Sequence, residues 1–263
     1  MNIGVIGVGY VGKAVVSSYP RHKIYINDPK YSTEKNYVSV SAMADIVDAV
    51  FVCVPTPQDQ NGACETAILS GVLEQLLNLG YHKPVIVKST APPVFYQQWQ
   101  QRMPNLAHVP EFLTAARAEF DYVNPHKIVV GCAPELHSTV ADVLMASMIN
   151  FERVRIEYCS IAEAAFFKYL ANNMLAIKVV INNEFAELAS KLGIDWQVVS
   201  NIAKTDSRLG NTHWQVPGTD GQKGFGGACF PKDTSAIIYQ ATQAGADVSV
   251  LSAAVAKNKQ LRK

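Results

Sequence analysis

The 263 residues hold few charges and few cysteines. Only 17% are Asp, Glu, Lys or Arg and the formal net charge is +1, so no global field recruits nucleic acid or an anionic membrane. An anionic ligand has to be met by local groups. The five cysteines, Cys53, Cys64, Cys132, Cys159 and Cys229, are odd in number and scattered, without a C-x-x-C pair. That excludes a dense disulfide frame and the usual spacing of a zinc site, and it points to reduced thiols. The first residues carry no basic leader. No apolar run in the sequence reads as approaching the roughly 20 residues that span a bilayer, so a cytoplasmic protein without membrane association is expected. Internal repeats and low-complexity tracts are also lacking. What is there is 49% hydrophobic residues, enough for a large core in one or two domains.

The first thirty residues read as a dinucleotide site. Asn2 to Ile6 has the continuous apolar character of a buried parallel strand. Gly7-Val8-Gly9-Tyr10-Val11-Gly12 follows, then a helix start at Lys13-Ala14-Val15-Val16, then a second strand over 23–27 ending at Asp28. The three glycines act in different ways. Gly7 permits the tight turn, Gly9 lets backbone approach a pyrophosphate, and Gly12 lets helix and strand pack closely. The helix N-terminus offers N–H groups and the positive end of its dipole to phosphate. Asp28, about 20 residues after Gly7, stands where an acid binds the adenosine ribose hydroxyls. An acid there repels the 2′-phosphate of NADP, which favours NAD; Lys30, two residues on, softens that preference. The glycine motif alone also fits a turn that binds nothing. Strand, helix, second strand and acid at the right spacing make the binding reading the better one.

Further strands are expected over 49–54, 84–87, 106–109, 127–130 and 153–156, with a helix over 134–148 before the last. Pro55-Thr56-Pro57 closes the third strand and holds an extended loop at the carboxyl edge of the sheet, where dinucleotides bind in such folds. The expectation is an α/β fold: a Rossmann-like, doubly wound parallel sheet over 1–158, followed by a smaller all-helical domain over 159–263. The second part opens with one long helix over 161–192, stopped by Gly193. Lys168 and Asn172 lie one turn apart on it, which on its own fits a packed or surface lysine with a polar neighbour. A second helix is expected from Asp195 to about Lys204, then loop over 206–227, then a helix from Pro231 to about Gln243. Cys229 precedes that helix, with Lys232 close by and a glycine-rich backbone beside the sulfur, a setting that promotes nucleophilic thiolates. A lone cysteine is just as well a small core residue, and the pattern alone leaves the two readings even.

The motifs GVGYVG, VFVCVPTP, VKSTAPP, VPEFL, AEAAFFKYLANN with INNEFAEL, DSRLG and GFGGACFPKD occur in this order from one end of the chain to the other. In this the sequence resembles the UDP-glucose/GDP-mannose dehydrogenase family, and most its UDP-glucose 6-dehydrogenase branch. That family oxidises a primary alcohol of a nucleotide sugar to the carboxylate with two NAD⁺ and a covalent thioester. The resemblance implies Cys229 as nucleophile, Lys168 and Asn172 as holders of oxyanions, Asp233 as the group that positions water with Thr90 nearby, and Glu111 as the carboxylate of thioester hydrolysis. It implies an NAD site lined by Gly7, Gly9, Tyr10, Val11, Gly12, Asp28, Pro55, Thr56, Thr90 and Lys232. Nucleotide sugar would meet Glu111, Phe112, Leu113, Lys168, Asn172, Arg208, Phe225, Gly226 and Gly227. A homodimer through the helical domain is the expected assembly, and no metal is implied. Two positions depart from the family pattern: Ala115 stands where a second glutamate is common, and Val109 where the family has Asn. The family also continues into a second Rossmann-like domain, whereas this sequence ends at Lys263: either it is truncated, or it is a natural minimal form in which the nucleotide falls to the central helices, a dimer partner or a separate chain. Two other readings stand beside this one. A two-electron 3-hydroxyacid-type dehydrogenase needs no cysteine, and a non-catalytic NAD-binding subunit would turn over nothing.

Overall fold

The computed structural model describes residues 1–263, the side chain of Arg153 excepted. It divides into two compact units: Met1–Pro57 with Glu65–Lys168, and Gln58–Cys64 with Tyr169–Lys263. The division expected after residue 158 thus moves into the long helix, and the short segment Gln58–Cys64 joins the second unit.

The first unit contains β1 (Asn2–Ile6), α1 (Tyr10–Ser17), β2 (Lys23–Asn27), α2 (Val40–Ile46), β3 (Ala49–Val52), α3 (Ala67–Asn78), β4 (Val85–Val87), α4 (Pro93–Arg102), β5 (Leu106–His108), α5 (Ala118–Val123), β6 (Lys127–Gly131), α6 (His137–Met145), β7 (Arg155–Cys159) and the first turns of α7 (Ile161–Lys191). The described strands form one sheet in the order β2-β1-β3-β4-β5-β6-β7. Side chains alternate along β3: Ala49 and Phe51 enter the core on one face, Val50 and Val52 the core on the other. Helices α1, α5 and α6 cover the first face through Val15, Tyr122 and Leu144, and α2, α3 and α4 cover the second through Met43, Leu73 and Trp99. This is the expected Rossmann-like, doubly wound α/β architecture. One pairing departs from an all-parallel sheet: β6 runs antiparallel to β5 at His108↔Gly131, and β7 is again parallel to β6. Antiparallel neighbours do not need the long crossover that parallel ones do.

The last strand is also displaced from its expected place at 153–156. Phe151–Arg153 forms a tight 3-10 turn, and β7 starts two residues later as a largely exposed edge. Gly131, at the end of β6, keeps the start of α7 close: a Cβ there would stand 2.4 Å from Ala164 Cβ. That approach fixes the helix turn that carries Lys168.

The second unit is all-helical: the rest of α7, α8 (Trp196–Ala203), α9 (Phe230–Ala244) and α10 (Ser249–Leu261), with an irregular stretch between α8 and α9. Gly193, at φ +69°, ends α7, and the Asp195 carboxylate accepts the Gln197 N–H to start α8. Gly245, at φ +67°, ends α9 in the same left-handed way. A small core of Ala176, Val180 and Phe225 holds the unit together, with Phe230, Val255 and Leu261 packed around it. The expectation about apolar runs needs correcting: by length and composition α7, with 31 residues, is long and apolar enough to cross a membrane. The run is masked in the sequence because Lys168, Asn172, Asn173, Asn182 and Asn183 interrupt it. Those five side chains are all buried and hydrogen-bonded within the protein.

Candidate active site

At the head of the first unit the glycine turn has the predicted geometry. Gly7 sits at φ +86°, where a Cβ would come within 2.8 Å of the Cys53 carbonyl, and a Cβ on Gly12 would lie 2.0 Å from the Gly7 oxygen. Any side chain at either position is excluded. Gly9 differs: nothing lies within 4 Å of a Cβ built there, so its backbone borders free space. No side chain caps α1 at Gly9. Asp28 accepts from Val8 N at 2.7 Å and Lys30 N at 2.9 Å, tying the end of β2 to the turn. Lys30 carries its ammonium 5.8 Å over the Tyr31 ring. The loops after β3 and β4 are joined: Thr56 Oγ1 donates to Thr90 O at 2.7 Å, and Ser89 Oγ to Val54 O at 2.7 Å. Open backbone at Gly9, an uncapped helix start and an acid at the end of β2 suit a dinucleotide.

The same unit holds a buried charge cluster. Lys168 Nζ donates to the Glu111 carbonyl at 2.5 Å and to Glu111 Oε1 at 3.2 Å, while Glu111 Oε2 accepts Leu113 N–H at 2.7 Å. The Lys168 ammonium also stands 5.2 Å from the centre of the Phe112 ring. A second buried amine, Lys88, donates to Val109 O at 2.9 Å and faces the Tyr122 ring. Burial pulls Lys88 down to about 8; Cys53 and Glu111 favour its cation and Lys168 opposes it. Burial pushes the Cys53 thiol up to about 12 against the pull of Lys88. His108 falls to about 3, again chiefly by burial, and is therefore neutral. Cys53 and Lys88 lie inside the motifs VFVCVPTP and VKSTAPP, but no role is read for them or for His108; each sits at or just beyond the carboxyl end of a strand.

In the second unit Cys229 is the N-cap of α9, as expected. Lys232 donates its ammonium to Asp233 Oδ1 at 2.6 Å. The other carboxylate oxygen of Asp233 accepts from Asn172 Nδ2, also at 2.6 Å. Asp233, 1% exposed, thus gathers an amide and an ammonium beside the first turn of α9. Arg208 is apart from this group. Its guanidinium pairs with Asp206 at 2.6 Å, and the side chain is 86% exposed. Phe225 is buried, and Gly226 leads into a turn over residues 227–229 that ends in Cys229. Among the described residues no group of His, Cys, Asp and Glu has the make-up of a metal site.

Comparison with known proteins agrees with these features. Residues 26–149 match the UDP-glucose/GDP-mannose dehydrogenase family, NAD binding domain, and residues 162–260 the central domain of the same family. A UDP-glucose 6-dehydrogenase of Pseudomonas aeruginosa is 31% identical over 225 residues, covering 80% of this chain and 48% of the relative. One of Rickettsia typhi is 26% identical over 98% of this chain and 67% of its own length. The chain therefore spans about half to two thirds of these curated relatives. A UDP-glucose dehydrogenase structure from Pyrobaculum islandicum superposes with a TM-score of 0.83 at 23% identity, over 98% of this chain and 68% of that one, which shows the shared fold. With both domain matches falling on the two units just described, one on the sheet and one on the helices, the chain belongs to the UDP-glucose/GDP-mannose dehydrogenase family.

Proposed function

We propose that the chain oxidises the primary alcohol of a nucleotide sugar, UDP-glucose, to the carboxylate through a thioester on Cys229. The observation that carries this reading is Asp233, which fixes Asn172 and Lys232 beside the helix start that Cys229 caps. NAD, held by Gly7, Gly9, Gly12 and Asp28 with Tyr10, Val11, Pro55, Thr56 and Thr90 alongside, supplies the hydride acceptor when bound. Once the alcohol is at the aldehyde level, the Cys229 thiolate adds to the carbonyl carbon; a C–S bond forms and the carbonyl electron pair moves to oxygen. The resulting alkoxide needs donors already in place. Asn172 gives one amide hydrogen to Asp233 and keeps its second, and Lys168 keeps one ammonium hydrogen beyond the two given to Glu111. A second oxidation of the same carbon leaves the thioester. Water then adds, Glu111 takes its proton, and the C–S bond breaks to release carboxylate and thiolate. For that last step Glu111 has to give up its bond to Lys168. The experiment is NADH formed per UDP-glucose consumed. Two supports the four-electron reading; one indicates a two-electron dehydrogenase; none, with NAD still bound, indicates a binding subunit or another sugar nucleotide.

The same reading includes a homodimer. Leu170, Met174, Ile181, Phe185 and Leu188 are all exposed and recur at helical spacing along one stripe of α7, with exposed Leu192 just past its end. A stripe of this kind suits a second copy, because a two-fold axis across a helix pairs the stripe with itself. Sedimentation velocity is expected to show a dimer, and Phe185→Glu a monomer of unchanged helix content. A wild-type monomer at micromolar concentration would sink this part.

A further inference from the structure

We propose that Asn258 on α10 and Arg262, one turn on at the C-cap of that helix, are positioning residues that set the backbone path of Gly224–Cys229 and so place the Cys229 sulfur. The proposal rests on the reading of Cys229 as nucleophile. Asn258 is buried and pairs with Phe225 in both directions: Phe225 N donates to Asn258 Oδ1 at 2.7 Å, and Asn258 Nδ2 donates to Phe225 O at 2.9 Å. A side-chain amide here stands in for a neighbouring strand, satisfying both backbone groups of a buried residue. From α7, Asn183 Oδ1 accepts Gly224 N–H at 3.2 Å, so the start of the segment is held from two helices.

Arg262 holds the flank. Its guanidinium donates to Asp220 Oδ2 at 2.6 Å, to Gln222 Oε1 at 3.2 Å and to Gly224 O at 3.4 Å. These contacts give a reason for two of the glycines in GFGG. A Cβ on Gly224, which also sits at φ +73°, would lie 2.3 Å from Asn258 Oδ1. A Cβ on Gly226 would lie 2.5 Å from the Arg262 guanidinium carbon. Phe225 then drives its ring into the core beside Ala176 and Val180, edge-on to Phe230 at 6.2 Å. With Phe225 pinned and α9 beginning at Phe230, only Gly226 to Cys229 lie between two fixed points. Two glycines in so short a span would otherwise let the sulfur wander from the helix start.

The test uses the full chain with Asn258→Ala, Asn258→Asp and Arg262→Ala. The aspartate keeps the acceptor for Phe225 N but turns the donor to Phe225 O into a second acceptor. The first readout is the rate of Cys229 alkylation by iodoacetamide, followed by peptide mass, with helix content and the other four cysteines as controls. Displacing the sulfur from the helix start is expected to slow alkylation about tenfold in both Asn258 variants and about threefold in Arg262→Ala. The second readout is sugar oxidation, in which kcat is expected to fall in parallel while KM for NAD holds. Should Asn258→Ala fail to fold, Arg262→Ala decides, since it trims one side chain just past the last turn of α10. Wild-type or faster alkylation in the folded variants would overturn the proposal. A wild-type chain that oxidises no sugar overturns the dehydrogenase reading instead, and the alkylation rates still decide the role of α10.

Discussion

Cys229→Ser is expected to leave the fold and NAD binding intact while lowering release of the sugar acid by on the order of 10⁴-fold or more. The substitution exchanges sulfur for oxygen in a side chain of the same shape at a partly buried position, so the structural cost is small. The chemical cost is large. A serine hydroxyl is a poor nucleophile unless a base removes its proton, and Asp233, the nearest carboxylate in the helix, is already engaged by Asn172 and Lys232. The first oxidation, from alcohol to aldehyde, needs no sulfur. The variant should therefore yield at most one NADH per enzyme-bound sugar and then stop. Single-turnover absorbance at 340 nm is the measurement. Two NADH per sugar from the serine variant would remove Cys229 from the mechanism and leave a thiol-independent dehydrogenase.

The parts of this site that are legible in the sequence are those in which one residue type answers one local demand. Gly7 and Gly12 announce themselves because no side chain fits where they stand, and Asp28 because a fixed spacing carries it to the end of β2. Cys229 can be placed at a helix start because Pro231 marks a first turn. What stays hidden depends on partners far along the chain. Lys168 finds Glu111 across 57 residues, and nothing in the local pattern tells a buried, paired lysine from a surface one. Lys232 is expected from its position to stand by Cys229; its pairing with Asp233, its own neighbour, is not expected. Helix α10 is not foreseen, although the Asp247 carboxylate accepts the Ser249 N–H at its start, because an Asp-Val-Ser turn fits a loop as well as a helix start. The antiparallel step at β6 has no local mark either, because strand direction is settled by where the connection can return.

The ion pair inside the first unit leads to the second large effect. Lys168→Met is expected to destabilise the chain by about 3–5 kcal/mol, measured by urea unfolding at neutral pH. Lys168 and Glu111 side chains are 4% and 7% exposed, so the loss strands a carboxylate that water cannot reach. It would keep only the Leu113 N–H on Oε2. The Glu111 carbonyl loses its donor as well, which frees the Pro110–Leu113 loop from α7. Glu111→Gln is gentler, because the ammonium retains the carbonyl and gains a neutral amide oxygen. If the two act as a pair, Lys168→Met/Glu111→Gln should cost clearly less than the sum of the single variants, with a coupling on the order of 1–3 kcal/mol. Strict additivity would mean that Lys168 is held by packing against Phe112 rather than by charge. Activity separates the roles further. At a urea concentration where all variants remain folded, Lys168→Met should lose on the order of 10²–10³-fold in kcat, the cost of one missing oxyanion donor. The double variant should stay equally inactive even though its stability has partly returned. A recovery of turnover along with stability would assign Lys168 to the fold alone.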